Sequence, residues 1–532
     1  MGYSRSGVGA AVLLCALSFA ANAQITTARV TGGQIEGTAA SGIASFKGIP
    51  FAAPPVGDLR WKKPQPVVAW SGVKKANAYG AACMQDPAML RFTSAPEGVS
   101  EDCLYLNVWT PAKAATDRLP VMVWIYGGGF AAGATSSSTY EGTRLAEKGV
   151  VVVSVAYRIG PFGFLAHPEL SKESGKGSGN YGLQDMIAGL EWVKANIAAL
   201  GGDPRNVTIF GESAGGIAVS MLGASPAAKG LFAKAISESG GNFAPPRHAN
   251  EGGQNVPTLP VAEKFGAEFF TRLGAQSLSD ARKLSAEQIQ KVLPPGLGGG
   301  FWPVADGDVL PGDQYVLYSQ GKFNDTPVLI GTNSDEGALF ARGPVTPAAY
   351  EKQIRDGYGE RADAILAANP HATDADAATA AKNIFRDSAF AWPTWAWARL
   401  QSSKGKGAVY VYYYDHRTPQ SPNGATHAAE LTYVFRNLAT LPAVGGDSAN
   451  SKPRPEDVAM SELVSSYWTN FAKTGDPNGA GLPKWPPFTE SAQQAMFFDA
   501  SSSARPLPNL EQLRALDGYY AWRRAQAQHA AH

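Results

Sequence analysis

The sequence has almost no net charge, few cysteines and no long hydrophobic segment. Its 532 residues carry 46 Lys and Arg against 45 Asp and Glu, a formal net charge of +1. Such a balance gives no field that would attract phosphate backbones or anionic lipid, which argues against nucleic-acid and membrane-surface partners. No run of 18 or more apolar residues is present to act as a membrane anchor. The 59 Gly and 37 Pro form no repeat or low-complexity block. We therefore expect a large folded core with many loops.

The first 23 residues have the pattern of a secretory signal peptide. Arg5 supplies the positive charge, residues 8–20 are apolar but too few to span a bilayer as a helix, and Ala21-Asn22-Ala23 forms an A-x-A cleavage site. We expect cleavage after Ala23 and export to the periplasm or the extracellular space. The mature chain, residues 24–532, would carry no membrane anchor.

Export changes how the cysteines are interpreted. Of the three cysteines, Cys15 lies in the signal segment, which leaves Cys83 and Cys103 in the mature chain. An even pair in an oxidising compartment favours a disulfide, and the alternative is two buried thiols. Two cysteines without a nearby histidine make a poor zinc site.

Buried strands alternate with amphipathic helices along the middle of the chain. Residues 121–125 (VMVWI) and 150–156 (VVVVSVA) are continuous apolar runs of the kind found in strands buried on both faces. Residues 184–200 have apolar side chains at helical spacing, and residues 207–210 (VTIF) form the next short strand. Further strands are predicted at 327–330 and 409–414. This order predicts an α/β protein with a mostly parallel sheet.

The segment VTIFGESAGG places Ser213 in a G-x-S-x-G motif between a predicted strand and a predicted helix. This is the context of a nucleophile elbow, in which the turn exposes the serine hydroxyl above the sheet edge. Gly211 and Gly215 are needed because the flanking backbones crowd together. The amide of Ala214, at the start of the helix, would face a developing oxyanion.

A glycine run directly after the first predicted strand suggests the remaining oxyanion donors. Residues 126–130 read Tyr-Gly-Gly-Gly-Phe, and consecutive glycines let backbone N–H groups approach a substrate oxygen. The alternative is a flexible turn. Phosphate-binding interpretations are weaker, because the run matches neither G-x-G-x-x-G nor G-x-x-x-x-G-K-[ST].

A serine nucleophile also needs a base and an acid, in the chain order serine, acid, histidine. His427 follows a stretch of small residues and is the favoured base, with His416 as the alternative. The acid is expected just after the strand at 327–330, where Asp335 and Glu336 are adjacent. The residue chemistry alone does not choose between these two carboxylates.

These motifs resemble the type-B carboxylesterases of the cholinesterase-like α/β-hydrolases, and in particular the bacterial para-nitrobenzyl-esterase-like members. The resemblance covers nearly all of the mature chain in ordered blocks, among them FKGIPFAAPPVGDLRW, SEDCLYLNVWTP, WIYGGGF, GTNSDEGALF and WTNFAKTGDPN. It implies an α/β-hydrolase fold with a central, mostly parallel sheet flanked by helices, and with helical insertions forming a lid over an active-site gorge. It also implies that residues 24–532 form a single domain.

Carried over residue by residue, the resemblance implies roles for individual positions. It implies Ser213 as the nucleophile, Glu336 rather than Asp335 as the acid, and His427 as the base. The other implied features are the oxyanion donors Gly128, Gly129 and Ala214, a buried supporting serine at Ser239, a Cys83–Cys103 disulfide, and an ion pair between Arg60 and Glu101.

The resemblance implies a secreted serine carboxylesterase that cleaves small-molecule esters through an acyl-enzyme, without metal or cofactor. Residues 84–102, between the paired cysteines, contain no Trp, although cholinesterases hold a quaternary ammonium there by cation–π attraction. This departure argues against choline esters. One alternative is a degradative esterase acting on polycarboxylate, mycotoxin-type esters or on aromatic or polymer esters. Another is a non-catalytic adhesion protein of the same fold, although such relatives usually lack the nucleophile.

Overall fold

The computed structural model describes residues 2, 24–90, 97–247, 255–295, 300–341, 343–440 and 453–530. The predicted signal segment, apart from Gly2, lies outside the described residues. The strands are β1 Thr27–Val30, β2 Gly33–Glu36, β3 Thr38–Ala40, β4 Ile43–Pro50, β5 Val73–Lys75, β6 Ala82–Cys83, β7 Val99–Ser100, β8 Tyr105–Thr110, β9 Leu119–Ile125, β10 Val151–Val155, β11 Gly202–Glu212, β12 Lys234–Glu238, β13 Val328–Asn333, β14 Val409–Tyr414, β15 Gln494–Phe498 and β16 Ser503–Pro506.

Within these described ranges, eleven strands form one sheet in the order β16-β15-β14-β13-β12-β11-β9-β10-β8-β4-β3. Every pairing from β10 through β9 and β11 to β15 is parallel, whereas the strands at both edges pair antiparallel. All residues of β10 and β13 are buried, as expected for a parallel sheet covered on both faces. The predicted α/β fold with a mostly parallel sheet is confirmed.

Helices cover both faces of this sheet. The α-helices with described ends are Thr143–Ala146, Gly160–Phe164, Pro168–Ser174, Tyr181–Asn196, Ala214–Ala224, Leu259–Leu273, Leu278–Lys283, Ala286–Lys291, Gln314–Ser319, Pro347–Tyr358, Ala362–Ala368, Asp374–Arg386, Trp392–Lys404, Leu431–Val434, Pro455–Thr474 and Leu510–Ala530. A π-helical turn, Asp387–Ala391, joins two of them.

The helix predicted at 184–200 differs in its bounds from the structure. The α-helix is Tyr181–Asn196, and a 3-10 turn, Ile197–Leu200, continues it. Tyr181 and Leu183 are buried in the first turn, so the helix begins before the periodic apolar pattern that revealed it. The tryptophans Trp392, Trp395 and Trp397 are buried in the core.

The topology brings four chain segments to one edge of the sheet. Strands β11, β12, β13 and β14 are neighbours and run parallel, so the residues that follow them meet at the same edge. Ser213 follows β11, Ser239 follows β12, Glu336 lies shortly after β13, and His427 lies in the loop after β14. Ligands of open α/β sheets bind beyond the carboxyl ends of the strands, and this edge is therefore the candidate site.

Candidate active site

Ser213 occupies a sharp turn between β11 and the helix Ala214–Ala224. Its backbone has φ 55° and ψ −126°, a conformation that a residue with a side chain rarely adopts. The turn is held by Ser213 N–H, which donates to Glu238 O at 2.9 Å. A Cβ at Gly215 would lie 2.0 Å from Ile125 O, and one at Gly211 would lie 2.6 Å from the same oxygen. The two glycines of the motif are thus required by close backbone approach.

Glu336 is fully buried and accepts hydrogen bonds on both carboxylate oxygens. Oε1 accepts from Asn333 N–H at 2.7 Å and from the hydroxyl of Ser239. Oε2 lies 2.6 Å from Nδ1 of His427. The adjacent Asp335 is half-buried, and its backbone N–H donates to Ala425 O. Of the two carboxylates that sequence chemistry left open, Glu336 is the one in contact with the imidazole.

His427 lies between two carboxylates. Its Nδ1 contacts Glu336, and its Nε2 lies 3.2 Å from Glu212 Oε1, in the residue before Ser213. Burial alone would lower the pKa of His427, but the charges of Glu212 and Glu336 outweigh burial and raise that pKa to about 9. Within the described part of the chain no hydrogen bond joins Ser213 to His427. Such bonds are often long in enzymes without substrate.

His416, the alternative base, belongs to a different buried cluster. Its Nε2 lies 2.8 Å from Asp457 Oδ1, which also accepts a hydrogen bond from Tyr433. Arg454 donates to both oxygens of Asp457. These contacts join the end of β14 to the helix Pro455–Thr474, and they hold His416 away from Glu336.

Three further buried glutamates lie around this site and were not revealed by the sequence motifs: Glu212 and Glu430 act on the imidazole, and Glu238 interacts with both of them. Burial raises the pKa of Glu212 to about 7 although His427 opposes that change, and burial, aided by Glu212 and Glu336, raises the pKa of Glu430 to about 8. Burial also raises the pKa of Glu238, whose Oε1 accepts from Trp468 Nε1 at 2.8 Å. Each of these glutamates is one to three residues along the chain from Ser213, Ser239 or His427. That closeness in sequence was the one sign that they lie near the site.

The glycine run at 126–130 lies against the serine turn. A Cβ at Gly127 would approach Ser213 Cβ to 3.0 Å, and one at Gly128 would lie 2.3 Å from Ala132 O. Gly128 and Gly129 have φ of 102° and 62°, values that favour glycine. Ala214 is the first residue of its helix, so its N–H has no partner within that helix. The three predicted oxyanion donors are therefore in segments that adjoin Ser213.

The disulfide and the ion pair implied by the resemblance are both present. Cys83 and Cys103 are bonded, with a Cα–Cα distance of 5.0 Å. Arg60, which is buried, and Glu101 form a bidentate pair with both N–O distances at 2.6 Å. Arg60 also donates to Ala281 O and Leu284 O, and so joins this loop to a helical region far along the chain.

Within the described ranges, no group of three or more His, Cys, Asp or Glu side chains could hold a metal ion. Across the same ranges, none of the helices combines the length and the apolar character needed to cross a bilayer.

Comparisons with known proteins agree with this geometry. The family model described as "Carboxylesterase family" matches residues 21–515. A fumonisin B1 esterase of Sphingopyxis macrogoltabida is 38% identical over 87% of this chain and 85% of that protein. A para-nitrobenzyl esterase of Bacillus subtilis (strain 168) is 36% identical over 91% of this chain and 97% of that protein. A solved PNB esterase superposes with a TM-score of 0.79 at 34% identity, covering 92% of this chain and 99% of that one. The chain thus has the α/β-hydrolase fold and belongs to the carboxylesterase family of carboxylic ester hydrolases.

Proposed function

We propose that this protein is an exported serine carboxylesterase with Ser213 as nucleophile, His427 as base and Glu336 as the acid that orients the base. The observation that carries the proposal is the 2.6 Å contact between His427 Nδ1 and Glu336 Oε2, beside a serine on a strained turn. Strained backbone persists only where the surrounding structure enforces it, and it concentrates at functional sites.

The reaction would proceed in two halves. His427 Nε2 takes the Ser213 proton while Oγ attacks the ester carbonyl, and the backbone amides of Gly128, Gly129 and Ala214 stabilise the oxyanion. Collapse breaks the ester bond, and the imidazolium gives its proton to the departing alkoxide, which leaves as the alcohol. Water then attacks the acyl-enzyme with His427 again as base, and the acid product leaves while the Ser213 hydroxyl is restored.

Glu212 gives this site a particular electrostatic character. The imidazolium formed in each half-reaction lies between Glu336 at Nδ1 and Glu212 at Nε2. Two negatively charged carboxylates beside a buried imidazole favour its protonated, positively charged form. Stabilisation of the imidazolium lowers the barrier to proton removal from Ser213, but it also reduces the fraction of free base at neutral pH.

The relatives suggest two candidate substrate classes. The similarity to a para-nitrobenzyl esterase favours simple esters such as para-nitrobenzyl esters. The similarity to a fumonisin B1 esterase favours a degradative esterase that acts on polycarboxylate esters of the mycotoxin type. Comparison of kcat/KM for a panel of p-nitrophenyl esters with kcat/KM for fumonisin B1 separates the two classes.

The test of the mechanism is Ser213→Ala in the full-length chain with its signal segment. We expect the variant to lose hydrolysis of p-nitrophenyl butyrate and labelling by a fluorophosphonate, because both require the nucleophilic oxygen. The matched control is Ser319→Ala, which removes a helix hydroxyl bonded to Val316 O and should leave both unchanged. Wild-type rates in Ser213→Ala would refute the mechanism. An absence of labelling in the wild type would favour the adhesion alternative.

The same label reports where the protein is located. The signal segment predicts that labelled protein appears in the periplasm or the medium, beginning at Gln24. Labelled protein confined to the cytoplasm with residues 1–23 still attached would contradict export.

A further inference from the structure

One face of the His427 ring is stacked on an aromatic side chain, while the two ring nitrogens contact carboxylates. The ring of Phe390 stacks on the imidazole at a centroid distance of 4.6 Å with an interplanar angle of 21°. Phe340 meets the imidazole edge-on at 5.2 Å and 66°. Phe390 is 5% exposed, whereas Phe340 is 41% exposed. The contact between Phe390 and His427 is therefore the one that is better shielded from solvent.

An irregular turn places Phe390 in this position. The helix Asp374–Arg386 does not run directly into the helix Trp392–Lys404, because the π-helical turn Asp387–Ala391 lies between them. Trp392 N–H donates to Asp387 O, five residues earlier. Pro393 explains the widening, since proline has no N–H and its ring excludes the carbonyl four residues before it. Single π turns recur at functional sites.

The turn is anchored to the segment that carries His427. Arg386 pairs with the buried Asp387 at 2.8 Å, and its Nη1 donates to Ser334 O at 3.2 Å. The Ser334 hydroxyl accepts a hydrogen bond from Ala425 N–H, two residues before His427, at 2.8 Å. The positions of Phe390 and of the His427 loop are thus set by one connected group of contacts.

We propose that Phe390 is a positioning residue for His427: its ring face fixes the plane of the imidazole so that Nδ1 points at Glu336, and it favours the imidazolium formed during turnover. This inference rests on the proposed function, in which His427 is the base. A cation over an aromatic face is attracted by the ring quadrupole, and more strongly in a site without water. Rotation of the imidazole out of its plane would bring it against the Phe390 ring.

Several charged groups surround the same imidazole and must be kept constant in any test. Three glutamates act on His427. They are Glu336, just after β13, Glu212, at the end of β11, and Glu430, in the loop after β14. Arg386, beside the π turn, is itself influenced by the charge of Glu336. A substitution of Phe390 by an uncharged side chain changes none of these charges, so a change in the pH dependence would report the loss of the ring.

The test compares Phe390→Leu, which keeps most of the volume, with Phe385→Leu as a matched control. Phe385 stacks on Phe340 at 4.5 Å and meets Phe390 edge-on at 6.1 Å, so its loss loosens the same packing without removing the ring over His427. For Phe390→Leu we expect kcat to fall roughly tenfold and KM to stay within about twofold, since orientation of the base acts in the transition state. The lower midpoint of the pH profile of kcat/KM should move down by roughly half a pH unit, because the imidazolium loses its stabilisation.

Two further variants keep the inference testable if Phe390→Leu does not fold. Phe390→Tyr keeps the ring face and should retain the wild-type pH midpoint. Pro393→Ala allows the turn to relax toward an α-helix and should move the midpoint in the same direction as Phe390→Leu. The proposal would be overturned by any of three results. These are an unchanged pH midpoint in Pro393→Ala, a wild-type kcat and pH midpoint in Phe390→Leu, and a shift in Phe385→Leu equal to that in Phe390→Leu. Fluorophosphonate labelling of the wild type, measured first, distinguishes this outcome from failure of the proposed function.

Discussion

At the residue scale, Asp335 and Glu336 are adjacent carboxylates in opposite environments. Glu336 is fully buried and is surrounded by donors from Asn333, Ser239 and His427. Asp335 is half-buried, and burial raises its pKa although Lys382 and Arg386 oppose the change. The difference comes from the turn after β13, which directs only the second side chain toward the imidazole.

The paired substitutions Glu336→Gln and Asp335→Asn test this difference. We expect Glu336→Gln to lower kcat by about 10⁴-fold, as loss of the orienting carboxylate does in serine hydrolases, because the amide no longer holds His427 in the productive tautomer. Asp335→Asn should change kcat by less than about threefold. The measurement is steady-state hydrolysis of p-nitrophenyl butyrate. A large loss in Asp335→Asn with a small loss in Glu336→Gln would reverse the assignment.

At the element scale, the helix Pro168–Ser174 begins with a histidine as its cap. His167 Nδ1 accepts a hydrogen bond from Glu169 N–H at 3.1 Å, and its ring stacks on Phe270 at 4.1 Å. An imidazole nitrogen accepts only when it carries no proton. Burial lowers the pKa of His167, with Glu169 and Glu263 opposing, so the neutral ring that serves as the cap is the favoured form.

The pH dependence of stability follows from the sign of that shift. A histidine whose folded pKa lies below its unfolded value, about 6.5, stabilises the fold above that value and loses the contribution as the pH falls through the folded pKa. In His167→Asn the amide oxygen accepts at every pH. The wild type should therefore lose more stability between pH 7 and pH 5 than His167→Asn, by about 1 kcal/mol, the scale of one helix cap. Urea unfolding at several pH values measures the difference, and equal pH slopes would contradict the capping role.

Elements whose signal is local could be predicted from the sequence, and elements set by distant contacts could not. Strands β9, β10, β13 and β14 were predicted because each is an apolar run buried on both faces. The short edge strands β3 and β16 lack such runs and exist only through pairing with a neighbour. The π turn that carries Phe390 was also missed, because its register depends on Pro393 and on the Arg386 contacts.

The residues of the candidate site also fall into those that local sequence predicts and those that depend on distant contacts. Ser213 and the glycines around it lie within one strand-turn-helix motif, so their sequence spacing alone predicts the turn. The position of Glu336 opposite His427 depends on β13 and β14 being neighbours, a fact of topology. Glu238 and Glu430 were missed because a glutamate carries no periodic sign of burial, and the interaction of Glu430 with His427 arises only in the folded structure.

At the scale of the whole molecule, the disulfide and the ion pair connect the amino-terminal strands to the rest of the chain. Cys103 lies two residues before β8, a strand of the central sheet. Cys83 is the last residue of β6, which belongs to a separate two-stranded sheet. Arg60 joins the same region to the carbonyls of Ala281 and Leu284. The loop closed by the disulfide therefore belongs to a surface that several distant segments share.

Removal of the disulfide should destabilise the protein while leaving the catalytic residues in place. The cysteines are 20 residues apart, and in the chain-entropy model closure of such a loop stabilises the fold by roughly 3 kcal/mol. We expect Cys83→Ser with Cys103→Ser to lower the urea midpoint with kcat for p-nitrophenyl butyrate within about twofold of the wild type, since Ser213, Glu336 and His427 are fixed by the other strand ends. Wild-type protein unfolded in a thiol reductant should match the double variant, because both unfolded chains then lack the cross-link. A double variant as stable as the oxidised wild type would show that the loop is already ordered in the unfolded chain, or that its closure carries no net stabilisation.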